Sequence, residues 1–138
     1  MKNIFVVLFI FLISHAGSQT CVESNYHKKS SLGTNNNIVD SEEYLERTLF
    51  EMNAAENIIT VNNQYDGVSI YYIDSVFYVD STQLLSFITY DKYNDHFIFV
   101  FEVGRIYFIT SYDYIIIYDV VNIYENTSLR KVLKRKNK

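Results

Sequence analysis

VDSEEYLERTLFEMNAAE, Val39–Glu56, is the one segment of this chain with helical chemistry, and the fold class turns on it. Asp40 can cap a helix, Glu43 stands three residues on as in a capping box, and Val39 can staple against Tyr44. Glu42 and Glu43 suit the positive end of a helix dipole. Tyr44, Leu45, Thr48, Leu49, Met52 and Ala55 recur at spacings of three and four, which lays one apolar stripe along residues 41–56. Glu43 and Arg47 fall one turn apart on the other face. The spacing predicts a helix over 41–56.

Downstream the period changes. From Ile58 onward apolar residues alternate, and β-branched and aromatic side chains dominate. Turn signals divide the run at Asn62–Gly67, Lys92–His96, Gly104-Arg105 and Ser111–Asp113. Strands are expected at 58–61, 68–80, 84–90, 97–103, 105–110 and 114–123, with short links that imply antiparallel order. Asp74-Ser75 reads either as a two-residue hairpin turn or as a kink within one long strand. The expected fold is α+β: one N-terminal helix packed against an antiparallel sheet of about five to six strands, a meander with or without curl.

Upstream of the helix, residues 19–38 mix Ser, Thr, Asn and Lys and read as a flexible arm. Ahead of them Lys2 and the unbroken apolar run Ile4–Ile13, followed by Ala16 and Ser18, have the form of a secretory signal with cleavage before Gln19. Phe97–Val121 is apolar too, but Glu102, Arg105, Asp113 and Asp119 interrupt it, so no helical membrane span is expected after cleavage. The expected organisation is a signal peptide over 1–18, an arm over 19–38, a single α+β domain over 39–126 and a basic tail over 127–138. The expected location is extracellular.

The cysteine content fits a core-stabilised domain. A disulfide-stapled secreted scaffold carries an even set of cysteines, whereas this chain has only Cys21. Placed in an arm, Cys21 is either a loose thiol or the site of an intermolecular disulfide that links a dimer. Charge is segregated: residues 19–129 carry five basic and sixteen acidic side chains, a net of −11, and residues 130–138 carry +6. An acidic body argues against a nucleic-acid partner. The basic residues Arg130, Lys131, Lys134, Arg135, Lys136 and Lys138 form a candidate site for a polyanion such as a glycosaminoglycan, on a tail expected to stay mobile until something acidic orders it. Asn126-Thr127-Ser128 is a glycosylation sequon at Asn126.

Catalytic chemistry is poorly represented. His27 falls in the expected arm, and Asp91, Asp95 and His96 read as a solvated hairpin turn that lacks the spacing of a calcium loop or a zinc site. The four glycines, Gly17, Gly33, Gly67 and Gly104, stand apart and form no phosphate loop. No catalytic, metal or cofactor residue is assigned. Thirteen tyrosines point instead to recognition. The expected function is a secreted binding module or effector that engages an extracellular protein through an exposed sheet face. The alternatives are a secreted enzyme or inhibitor using the Asp91, Asp95, His96 group, and a small ligand carrier whose sheet curls around an apolar cavity.

Overall fold

The structure is a computed structural model describing residues 19–53, 55–79, 81, 84–110, 114–125 and 127–136. Residues 1–18, and with them the signal peptide, lie outside this part, as do Asn126 and Lys138. The described residues form nine strands, a single 3-10 turn at Thr34–Asn36 and one α-helix: β1 Gln19–Leu32, β2 Ile38–Tyr44, β3 Thr48–Asn53, β4 Ile58–Asn63, β5 Gly67–Val79, β6 Leu84–Tyr90, β7 His96–Glu102, β8 Arg105–Thr110, β9 Tyr114–Tyr124 and α1 Leu129–Lys136.

All the strand pairings are antiparallel, and the sheet closes on itself. One edge of β1 pairs with β9 along nearly its whole length, from Cys21↔Tyr124 to Ser31↔Tyr114. The other edge is shared: Gln19–Ser24 pair with β3, and His27–Leu32 pair with β2. β2 and β3 therefore lie end to end along β1, and the closed ring contains β1 and β3 to β9, eight strands, with β2 projecting beyond it. An eight-stranded barrel has an interior that side chains can fill or that can hold one small ligand.

This architecture overturns the α+β expectation at its decisive segment. Among the described residues of 41–56 none is helical; they supply most of β2 and all of β3. Phe50 and Met52 of β3 face the barrel core, while Leu49 is buried on the outer face under α1. A strand buried on both faces loses its alternation, and its apolar residues then imitate helical spacing. The charges read as helix-end chemistry are cross-strand partners in β2: Glu42 stands opposite Lys29, and Glu43 opposite Lys28. Arg47 pairs with Glu23 of β1 and not with Glu43. The expected arm is corrected as well, since residues 19–32 are β1, the strand that closes the barrel.

The six strands from Ile58 onward start and end within a few residues of where alternation puts them. At Asp74-Ser75 the chain runs on as one strand, with a register shift between Ile73 and Ser75. Phe87, Phe99, Phe101, Leu85, Ile106 and Ile59 are almost wholly buried and form the centre of the core.

The tail expected to be mobile is in part an ordered element. Ser128 Oγ accepts the Lys131 N–H (3.3 Å) as an N-cap, and a Glu51 carboxylate oxygen accepts the Leu129 N–H (2.6 Å). Val132, 1% exposed, packs with Cys21 and Leu49 against the outside of the barrel. Tertiary contact supplies what an isolated helix of this length lacks.

Beneath α1, Glu23 is 1% exposed. It pairs with Arg47 Nε and accepts hydrogen bonds from Asn122 Nδ2 (2.8 Å) and the Tyr124 hydroxyl (2.9 Å). Burial alone would raise its pKa. The bonds from Arg47, Asn122 and Tyr124 outweigh burial and bring it down to about 2.

Candidate ligand site at the open mouth of the barrel

β1 positions the site. Thr20, Val22 and Ser24 share its inward face at even numbers, but register shifts around Ser24 and Tyr26 leave Asn25 out of the ladder. Ser24 Oγ donates to the Tyr26 carbonyl (2.8 Å) across this bulge. A bulge adds one residue, so inward positions beyond it are odd: His27 and Lys29. Their ladder partners on β9 are Tyr118 and Ile116, and the partner of His27 on β2 is Tyr44.

The cavity at this end has a volume of about 360 Å³ and is lined by residues of β1, β2, β4, β5, β8, β9 and adjoining turns. His27, 7% exposed, stands between two rings: Tyr44 stacks on it at 4.9 Å and Tyr118 lies tilted at the same distance. The floor is aromatic. Tyr118 meets Phe50 edge-on at 4.8 Å, and Tyr71 meets Phe97, Phe99 and Phe108 at 5.1 to 5.5 Å.

Charged groups occupy the rim. Lys29 Nζ sits over the Tyr114 ring, 4.4 Å from its centre. Asn63 Nδ2 donates to Glu46 Oε2 (3.1 Å) and Thr48 Oγ1 (3.0 Å), and Asn63 Oδ1 accepts the Tyr65 and Asp66 N–H groups. One amide thus positions both the Glu46 side chain and the turn that carries Asp66. The Arg47 N–H donates to Gln64 Oε1 (3.1 Å), which ties the β2–β3 link to that turn.

Burial holds the His27 pKa below its ordinary value with help from Lys29, against the opposing pull of Glu46 and Asp66. His27 is therefore neutral at pH 7. Its Nδ1 is buried with no hydrogen-bond partner among the described residues. Burial, reinforced by neighbouring Tyr71 and Tyr114 and the charges of Asp66 and Glu46, raises the Tyr118 hydroxyl well above the usual phenol range. The mouth presents tyrosine rings, a neutral imidazole, two carboxylates and one lysine.

None of the sequence-derived site residues falls here. Cys21, 0% exposed, lies under α1 on the outer wall, and burial, with Glu51 and Glu23 beside it, pushes its thiol up to about 12. An intermolecular disulfide would require α1 to lift. Arg130, Lys131 and Lys134 are exposed on α1, while the side chains of Arg135 and Lys136 lie outside the described part. Asp91 Oδ1 accepts the Tyr93 and Asp95 N–H groups (2.9 and 3.0 Å) and so organises the β6–β7 turn, from which His96 opens β7. Among the described residues no group of three His, Cys, Asp or Glu is placed to hold a metal ion.

Sequence reading missed His27, Lys29, Tyr44, Glu46, Asp66 and Tyr118. The available signal was weak, a polar strand whose alternation changes parity at Asn25. Comparison with protein-family models and with characterised proteins gives no match, so the chemistry of this mouth is read from its own residues.

Proposed function

We propose that the protein binds a small organic molecule in the mouth of its barrel. One observation carries the reading: a cavity of about 360 Å³ whose wall sets a buried histidine between two tyrosine rings. The volume falls in the range of small-molecule sites, which combine apolar walls with a few convergent polar groups. This is the carrier alternative, with a polar and aromatic lining in place of the purely apolar one first expected. Action outside the cell belongs to the same proposal. Mass spectrometry of the secreted product should show loss of residues 1 to about 18.

Titration calorimetry with the size-matched set 2-phenylethylammonium, 2-phenylethanol and 3-phenylpropionate tests the site. At least one should bind saturably, and Ser69→Trp, which places bulk in the cavity wall, should abolish that binding while the fold persists. Absence of binding by all three would overturn the reading.

A second reading, contact with a partner protein, has its own observation. The ladder from β5 to β6 starts only at Tyr72↔Tyr90, although β5 pairs with β4 from Gly67. The Ile73 N–H donates to the Asn57 carbonyl on the β4 side (2.8 Å), so by alternation Val68 and Ile70 direct their backbone groups away from β4. They face a groove of about 370 Å³ bounded by Asp91, Lys92 and Tyr93, and their side chains are exposed. An extended segment of a partner adds there as a further strand. Amide exchange at Val68 and Ile70 should be fast in the isolated protein and slow in a complex purified from extracellular fluid; protection confined to other strands would sink this reading.

A further inference from the structure

We infer that the ligand of the barrel mouth is an organic ammonium ion, an aromatic or alkyl amine held between tyrosine faces and carboxylates. This rests on the mouth being a ligand site and specifies what enters it. The charge balance points the same way. Of the three charged groups around the cavity, Glu46 and Asp66 are negative and only Lys29 is positive, which leaves one negative charge unmatched.

The aromatic wall is suited to a cation. Tyr44, Tyr71, Tyr114 and Tyr118 line the cavity, and Lys29 already places its ammonium over the Tyr114 ring. Ring faces attract cations through their quadrupole, most strongly where water is excluded. Among the charged groups the acceptors outnumber the donor: the Glu46 and Asp66 carboxylates only accept, and Lys29 alone donates. An ammonium supplies N–H donors for these acceptors, whereas a carboxylate ligand would bring more acceptors and would meet Glu46 and Asp66 as like charges. Glu46 is held by Asn63, so its charge is positioned before a ligand arrives.

The decisive measurement compares the same three probes by titration calorimetry at low salt and pH 7.5. 2-Phenylethylammonium should bind about tenfold or more tightly than 2-phenylethanol, and 3-phenylpropionate most weakly. Combining Glu46→Gln with Asp66→Asn should remove most of that preference, read as the ratio of ammonium affinity to alcohol affinity in the same variant. Lys29→Gln should tighten binding of the ammonium, because it removes a competing cation from the Tyr114 face. Equal binding of ammonium and alcohol would overturn the inference and leave an apolar ligand site standing. Tighter binding of the propionate would overturn it in favour of an anion site anchored on Lys29. Failure of all three probes would remove the ligand site itself.

Discussion

At the packed end of the barrel, the inward positions of β6, β7 and β8 are Leu85, Phe87, Phe99, Phe101 and Ile106, and these side chains leave almost no exposed surface. At the mouth, the inward positions of β1, β2 and β9 include His27, Lys29, Tyr44 and Tyr118, and a cavity remains between them. The same ladder runs through both halves. What differs is the polar atom at the tip of each mouth side chain: a phenylalanine can be closed over on every side, whereas a tyrosine hydroxyl or an imidazole nitrogen needs a partner or water. The packed end thus carries stability, and the mouth is the end proposed for recognition.

The largest expected effect lies in the packed half. Phe99→Ala should cost about 3–5 kcal/mol in urea unfolding, because the cavity it leaves cannot collapse among other rings. Ser69→Ala at the mouth should stay within about 0.5 kcal/mol. Comparable losses at the two sites would erase the distinction.

Next comes the polar cluster beneath α1. Glu23→Ala should cost about 3 kcal/mol, since it strands Arg47 without its carboxylate. With its pKa lowered to about 2 from the ordinary value of 4.5, Glu23 contributes stability that is fully present above 4.5 and lost as pH falls through 2. The gap between wild type and Glu23→Gln in urea midpoint should therefore close between pH 5 and pH 2. A constant gap would show that hydrogen bonding without charge carries the cluster.

A smaller effect separates the mouth from the core by pH. The fold resists protonation of His27, which the unfolded chain accepts below about 6.5. Stability should decline as pH drops from 7.5 to 5.5, and His27→Gln should flatten that decline. An unchanged slope would mean that the imidazole titrates in the folded protein as it does in the unfolded chain.

The smallest change in stability, with a clear kinetic readout, concerns Cys21. Thiol labelling of the folded protein at pH 8 should be slow, and Val132→Asp should accelerate it by about tenfold or more by freeing α1. Fast labelling of the unaltered protein would show that α1 does not stay docked.

Much of the strand pattern was legible because β4 to β9 obey simple alternation. Two segments were not. Leu49, Phe50 and Met52 are buried on both sides of β3, which hides the period of two. β1 reads as an arm in the sequence because its mouth-facing residues are polar and its parity shifts at Asn25. Both failures come from contacts far apart in sequence: the cover provided by α1 and the closure of β1 onto β9. Local propensity carries no signal of either. The candidate site was illegible for the same reason, since it assembles from opposite ends of the chain.

That closure also orders events in time. Glu23 bonds to Asn122 and Tyr124, separated from it by 99 and 101 residues. During synthesis β1 emerges well before β9 exists, and one of its two edges stays open until nearly the whole barrel has been made. A ring sealed by its most distant pair carries a high contact order and folds slowly, with its aromatic interior uncovered in the interval. The same strand that builds the mouth thus keeps an unpaired edge exposed for longest as the chain grows.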